Sequence, residues 1–366
     1  MGRFEDRPVL VFWEMTRACP LFCLHCRASA VSEPLPGELT TKEGFELIDQ
    51  VASFDKPTPT IIFTGGDPLK RKDLFEILNY ASERGVKFAV SPAVSENLNM
   101  DSLGRIKETG ASAISISLDG AKALTHDSIR RRDGSFKMTL EAISNALKLG
   151  LKVQVNTAVM KRNFEELPDI FALIKDLGVE TWELFFLVQV GRGSGVEDLD
   201  PDQYESVCNF LYDASRYGIL VRCVEAPFIR RVVRLRMKFI DYWGDGAYIR
   251  MRSRLTELCG EPEFHPSISL SGTLDGDGVV FVAYDGTVNP GGLLPLPLGD
   301  IRNDRLVDIY RQDKLLKEIR ARQLHGLCGS CEFSSVCGGS RARAYSYFGD
   351  PLASDPACIM VSNLSS

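Results

Sequence analysis

Residues 60–90 read TIIFTGGDPLKRKDLFEILNYASERGVKFAV. The run Thr60–Phe63 is apolar and β-branched and gives way to a turn at Gly65-Gly66. Asp73–Arg84 has helical spacing, and Val86–Val90 is again a strand. Strand, glycine turn, helix and strand in about thirty residues make one βα unit, which predicts parallel pairing.

The alternation recurs on both sides of that unit. Upstream, Val9–Met15 is a short apolar run, and Thr40–Phe54 carries Phe45, Leu47, Ile48, Val51 and Phe54 at helical spacing. Downstream come a helix at Met100–Thr109, a strand at Ala113–Leu118 ending on Asp119-Gly120, and a helix at Ser135–Leu149 stopped by Gly150. A strand at Val153–Val159, a helix at Glu165–Leu177 and a strand at Val179–Leu187 follow. Six such units predict an α/β fold, either an open partial barrel or a doubly wound sheet. Both place ligands at the carboxyl ends of the strands.

The pattern weakens after Asp200, with a helix at Pro201–Arg216 and a short strand at Leu220–Val224. Residues 222–254 then hold nine Arg and Lys against three acids, in a chain whose net charge is −6. Ser267–Gly278 reads as loop, Val279–Ala283 and Thr287–Asn289 as a hairpin, and Leu306–Arg311 and Lys314–Arg322 as short helices. The expected division is a barrel at 1–225, a basic helical segment at 226–265 and a C-terminal unit at 266–366.

Composition excludes several classes. Of 366 residues 44% are hydrophobic, enough for a full core, and a quarter are charged, so the chain is no disordered polyelectrolyte. The acidic balance argues against nucleic acid as partner. No apolar run is long enough to span a membrane, and the N-terminus lacks the features of a signal peptide. The expectation is a cytoplasmic protein.

Ten cysteines are unevenly placed. Cys208, Cys223 and Cys259 are scattered and read as buried thiols, whereas the other seven form two knots, which suggests metal. The first, Cys19-x3-Cys23-x2-Cys26, follows the first strand. Structural zinc wants four ligands and no fourth is near. A [4Fe–4S] cube held by three thiolates leaves one iron open to a substrate or cofactor. This knot after a first strand resembles the signature of the radical S-adenosylmethionine (SAM) superfamily.

The resemblance implies that SAM chelates the open iron and that the reduced cluster cleaves it to a 5′-deoxyadenosyl radical, which takes a hydrogen atom from substrate. It also implies SAM contacts. His25 stands where relatives have an aromatic ring near the adenine, the alternative being a surface imidazole. Gly65, Gly66 and Asp67 match a Gly-Gly-Glu-Pro segment, with Asp for Glu. Ser117 and Asp119 close SISLDG, a segment that relatives share. Arg130, flanked by Arg131 and Arg132, matches an arginine suited to the SAM carboxylate. Asn156 is a polar residue inside a strand, either a SAM contact or a satisfied core amide.

The second knot, Cys328-x2-Cys331-x5-Cys337-x20-Cys358, has four thiols. Its surroundings resemble the SPASM extension of radical SAM enzymes, which implies one auxiliary [4Fe–4S] cluster. Further cysteines that relatives carry around Thr273, Gly291 and Ser340 are absent, so two clusters are expected in all. The spacing and the PLPGELTT, GGDPL and VGRG segments resemble enzymes that remodel siroheme toward heme d1 or heme b. Those enzymes tend to have Ala-Pro-His where this chain has Ala226-Pro227-Phe228. The expected substrate is an anionic small molecule or tetrapyrrole, and Arg230, Arg231 and Arg234 would bind its carboxylates if they face the cavity. A solvated helix face is the alternative for them. A peptide-modifying maturase and a non-catalytic iron–sulfur scaffold are the other readings. A reducing partner such as a flavodoxin or ferredoxin is implied.

Overall fold

The computed structural model describes residues 4–238, 246–268 and 272–362. Asp241 and Asp245 of the basic stretch, and residues 269–271 of the expected loop, lie outside the described residues. Strands β1 (Leu10–Glu14), β2 (Thr60–Thr64), β3 (Phe88–Val90), β4 (Ile114–Ser117), β5 (Val153–Val159), β6 (Thr181–Phe186) and β7 (Leu220–Val224) pair in parallel in chain order. Sequential order has no switch point, so the sheet is wound in one sense, as in a barrel, and is not doubly wound. β7 extends the expected six-stranded array by one.

Helices fill the crossovers: α1 (Thr41–Ala52), α2 (Leu74–Glu83), α3 (Met100–Glu108), α4 (Ala123–Arg130), α5 (Ser135–Lys148), α6 (Leu167–Asp176) and α7 (Pro201–Ala214). Their starts are well capped. Thr40, Asn99 and Asp200 each form a reciprocal capping box, satisfying amides that the first turn leaves open. The basic stretch forms α8 (Ile229–Met237) and α9 (Gly246–Cys259). Neither is long and apolar enough to cross a membrane, nor is any other helix among the described residues.

The C-terminal part adds β8 (Leu274–Asp275), β9 (Gly278–Val282), β10 (Thr287–Asn289) and β11 (Gly299–Asp300) to the same sheet. β9 lies parallel to β1, with Leu10 opposite Val279 and Phe12 opposite Phe281. β10 returns antiparallel, and β8 pairs beside β9 off the main path. Short helices α10 (Leu306–Gln312), α11 (Lys314–Arg320), α12 (Gly326–Ser330), α13 (Arg341–Phe348) and α14 (Ile359–Ser362) follow.

Strand alternation sorts the two faces of the sheet. Trp13, Phe63, Ile116, Val155, Trp182 and Val221 are fully buried in the main core. Trp13 lies against Gly44 of α1, where a Cβ would come within 2.6 Å of its ring, and Trp182 packs on Phe171 of α6 at 5.7 Å. That face is covered by helices. The opposite face carries a polar rung: register places Ser117, Asn156, Glu183 and Arg222 side by side across β4 to β7. The cysteine loop rises from the carboxyl end of β1, beside this second face.

Candidate functional site

The loop after β1 is held to its neighbours by backbone. Gly66 N donates to Thr16 O at 2.7 Å, Asp67 N to Ala18 O at 2.8 Å, and Leu24 N to Ile129 O at 2.9 Å. A Cβ on Gly65 would meet Thr16 O at 2.4 Å, and one on Gly66 would meet Ala18 O at 2.4 Å. The paired glycines therefore let the β2 loop press against the cysteine loop; Gly65 also has φ +142°, which a side chain would oppose. Arg192 staples the same loop from beyond β6. Its Nε donates to Cys23 O at 3.0 Å, its Nη1 to Ala30 O at 2.8 Å, and its backbone N to Cys26 O at 3.0 Å.

The three thiols receive donors: Leu21 N to Cys19 Sγ at 3.4 Å, Ala30 N to Cys26 Sγ at 3.4 Å, and Arg130 Nη1 to Cys23 Sγ at 3.6 Å. Burial pushes the Cys19 thiol up to about 12 and raises that of Cys23. Ionising such buried thiols requires a cation, which iron bound to them would supply. Donors aimed at the sulfurs suit thiolates in an iron–sulfur cluster. Three anchors in one loop leave one iron of a cube open. Among the described residues, no group of His, Cys, Asp or Glu is gathered to hold a single metal ion.

Arg130 ends α4 and joins the loop to the fourth strand. Its Nη2 meets Asp119 Oδ2 at 2.6 Å. Asp119 is fully buried and also accepts from Ala158 N at 2.8 Å. Burial opposes its ionisation, but Arg130, His25 and His126 more than offset this and hold its pKa below the usual range. His25 Nε2 lies 3.7 Å from Asp119 Oδ2, so His25 is no surface imidazole; burial lowers its pKa to about 4 and it stays neutral near pH 7. Of the three neighbouring arginines, Arg130 is the one that reaches the cysteine loop. Arg131 takes the left-handed position after α4 at φ +53°, and Arg132 turns to Glu96. Arg130 Nε, His25 Nδ1 and Arg192 Nη2 are buried without a partner, a set of donor-capable atoms suited to a polar ligand beside the loop.

The remaining expected contacts divide. Ser117 and Arg130 line one small cleft with Leu21 of the cysteine loop and His126. Asn156 is next to Ser117 on the polar rung, and its Oδ1 accepts from Gln154 Nε2 at 2.8 Å. Asp67 sits apart as a buried tie. It accepts from Leu69 N and Ala93 N at 3.2 and 3.3 Å and from Ser95 and Asn97 at 3.4 Å, joining the loops after β2 and β3.

The second knot makes its own cage. Cys328, Cys331, Cys337 and Cys358 line one small cavity with Phe228, Arg231 and Phe333. Three of the thiols receive local backbone donors at 3.4 Å: Phe333 N to Cys331, Gly339 N to Cys337, and Asp355 N to Cys328. The chemistry of this donor set fits a cluster held on all four corners.

The expectation that Arg230, Arg231 and Arg234 line an anionic pocket is corrected. Arg230 donates to Val336 O at 2.8 Å and Thr273 O at 3.1 Å, Arg231 is paired with buried Glu205, and Arg234 is exposed. Arg236 and Arg254 have partners too, in Asp213 and Asp169. The helix thus turns Arg230 and Arg231 inward to protein partners and leaves Arg234 on its solvated side. Sequence reading missed Arg192 as a loop staple, His126 beside Asp119, and Glu225. Glu225, at φ +62° after β7, accepts a bond from Ser340 of the C-terminal part. The VGRG segment was the one trace of Arg192.

Comparison with known proteins agrees with this geometry. The profile of the Radical SAM superfamily matches residues 13–174. The AdoMet-dependent heme synthase of Methanosarcina barkeri is 36% identical over 361 residues, covering 98% of each chain. That of Nitratidesulfovibrio vulgaris is 35% identical over 353 residues, covering 95% of this chain and 91% of its own. Streptococcus suis SuiB, solved with S-adenosylmethionine, shares the fold at TM-score 0.71 and 12% identity over 98% of this chain and 79% of its own. With a three-cysteine loop at the strand ends, and relatives alike over nearly their whole length, the chain belongs to the radical SAM superfamily and is an enzyme of it.

Proposed function

We propose that this enzyme acts on a tetrapyrrole bearing carboxylate side chains, as the names of its heme synthase relatives suggest. Cys19, Cys23 and Cys26 hold the catalytic [4Fe–4S] cluster, and Cys328, Cys331, Cys337 and Cys358 hold one auxiliary cluster. The catalytic cluster with SAM supplies a 5′-deoxyadenosyl radical that takes a hydrogen atom from the substrate. The observation that carries the reading is the likeness to heme synthases at 35–36% identity over at least 95% of the chain.

The protein's own residues orient and shield. Arg192 and the Gly65-Gly66 turn fix the cysteine loop. Arg130 presents a cation between Cys23 and Asp119, in reach of a carboxylate bound at the open corner. Neutral His25 offers a flat ring on the same side. Ser117, Asn156, Glu183 and Arg222 provide polar groups across the uncovered face of the sheet, where substrate approaches. A low-potential donor of the flavodoxin or ferredoxin type delivers the electrons.

The test is anaerobic incubation of reconstituted enzyme with SAM, dithionite and an iron tetracarboxylate porphyrin such as iron coproporphyrin III. The expected result is 5′-deoxyadenosine formation stimulated by the porphyrin, with loss of its mass. SAM cleavage that no tetrapyrrole stimulates would overturn the substrate assignment.

A further inference from the structure

Arg231 lies in α8, between α7 and the second cysteine cage. Its side chain is 5% exposed and that of its partner Glu205 is 1% exposed. Arg231 Nη1 donates to Glu205 Oε1 at 3.0 Å and Nη2 donates to Oε2, a two-point pair that leaves Nε as the one unused nitrogen. That Nε is buried without any partner. The arginine also lines the cavity shared by Cys328, Cys331, Cys337 and Cys358.

An ion pair of this kind has no need to border a cavity of thiols. Packing α8 on α7 is served as well by apolar residues, since a buried pair rarely adds net stability over a hydrophobic replacement. A guanidinium held by Glu205, with one buried donor unpartnered and its residue in the wall of the cage, has a use if the cage carries negative charge. Four thiolates around an iron–sulfur core do so. One-electron reduction adds one further negative charge to that core and breaks no bond. A nearby fixed cation and N–H donor favour the reduced state.

We infer that Arg231, positioned by Glu205, is a tuning residue of the auxiliary cluster: it raises the reduction potential by donating its Nε–H toward the cage and placing a buried cation beside Cys358. The inference rests on the proposal that the second knot binds a cluster. Arg230, its neighbour in sequence, spends donors on Val336 O and Thr273 O. Asp355, on the other side, is neutralised by Arg343 at 3.3 Å. Arg322 Nε, Arg341 Nη2 and Arg343 Nε are also buried without a partner, but among the described residues that line the cavity Arg231 is the one with a cationic side chain.

The experiment uses the full-length, anaerobically reconstituted protein. Iron is counted, and both clusters are titrated with a low-potential reductant followed by electron paramagnetic resonance. Wild type, R231K and R231Q are compared. R231Q should keep about eight irons per chain, shift the auxiliary midpoint to more negative potential and leave the catalytic midpoint where it was. R231K, which keeps the charge but not the fork, should fall between. Because R231Q strands Glu205 in the interior, the paired variant E205L/R231M, which removes both charges together, is the second arm. It should show the same negative shift. Unchanged auxiliary midpoints in R231Q and E205L/R231M would overturn the tuning role while leaving the cluster in place. A wild type with about four irons would instead overturn the second cluster, and the inference with it.

Discussion

The two cysteine cages are built in opposite ways. In the first, three thiols sit in one loop, and nearly everything that shapes it comes from afar: the β2 loop, the end of α4, and Arg192 from beyond β6. In the second, four thiols are spread from 328 to 358, and three of them are held by amides a few residues away or, for Cys328, by the chain that returns at Asp355. The first is surrounded by ionisable groups, Asp119, Arg130 and His25, with unused donor atoms. The second, besides its thiols, is lined mostly by apolar residues and glycine, with Ser334 and one arginine. A centre that must bind and release a polar cofactor needs an open corner and polar walls. A centre that only passes electrons needs full ligation and a dry shell. The contrast supports a division of labour between them.

Removing one thiol from each cage tests that division most severely. Cys23→Ala should abolish 5′-deoxyadenosine production and lose about half of the bound iron, with the barrel still folded. Cys331→Ala or Cys337→Ala should lose the auxiliary iron and substrate turnover yet retain some SAM cleavage uncoupled from substrate. Chromatographic assay of 5′-deoxyadenosine and iron counting separate the outcomes. Normal 5′-deoxyadenosine production by the Cys23 variant would end the assignment of the first cage.

A further prediction concerns what surrounds the first cage. Arg130→Gln leaves Asp119 buried without its cation. Breaking a buried pair in this manner costs about 3–5 kcal/mol, read as a lower denaturation midpoint, and it should also weaken SAM binding. Arg130→Lys should recover part of the stability but less of the SAM affinity, because Lys lacks the fork that spans Cys23 and Asp119. Equal SAM affinity for Gln, Lys and Arg at this position would confine Arg130 to a structural role.

The same contrast explains what was legible in the sequence. The strands of the barrel were plain because each is a short run rich in apolar residues, most of them with a glycine close to one end: Val153–Val159 emerges with the expected ends. Helix α4 was not read, because ALTHDSIR has few apolar residues at core spacing, with only His126 and Ile129 buried. Resemblance pointed to Arg130, and only packing separates its surroundings from those of Arg131 and Arg132. Pairing of β9 with β1 joins residues far apart in sequence, and no local pattern announces that. Likewise Asp67, matched to a SAM contact by its motif, is engaged by Leu69 N of its own loop and by three donors from the loop after β3. The charge excess at 222–254 was visible, but its destination was not. Arg231 and Arg236 meet acids of α7, and Arg254 meets one of α6, partners that only packing reveals.

That redistribution sharpens the question of what binds an anionic substrate, and Arg222 gives the smallest expected effect. It stands on β7 opposite Glu183, on the sheet face that helices do not cover, and it is exposed. One of its nitrogens donates to Gln154 Oε1 at 3.3 Å, and Gln154 also bonds Glu183 at 2.7 Å and Asn156 at 2.8 Å. The guanidinium is thus steered by the rung but not enclosed by it. A hydrogen bond to a charged group contributes about 1.5–3 kcal/mol when desolvated, and an exposed pair about 0–1 kcal/mol. A porphyrin that covers the rung moves Arg222 from the second case toward the first. Arg222→Gln should therefore weaken binding of iron coproporphyrin III by about tenfold, near 1.4 kcal/mol, with SAM affinity unchanged. The tetramethyl ester of the same porphyrin should bind wild type and variant alike, since it offers no carboxylate to lose. Equal loss for acid and ester would show that Arg222 shapes the sheet and does not recognise charge. No loss for the acid would move the carboxylate contact to the other cavity, beside Arg130.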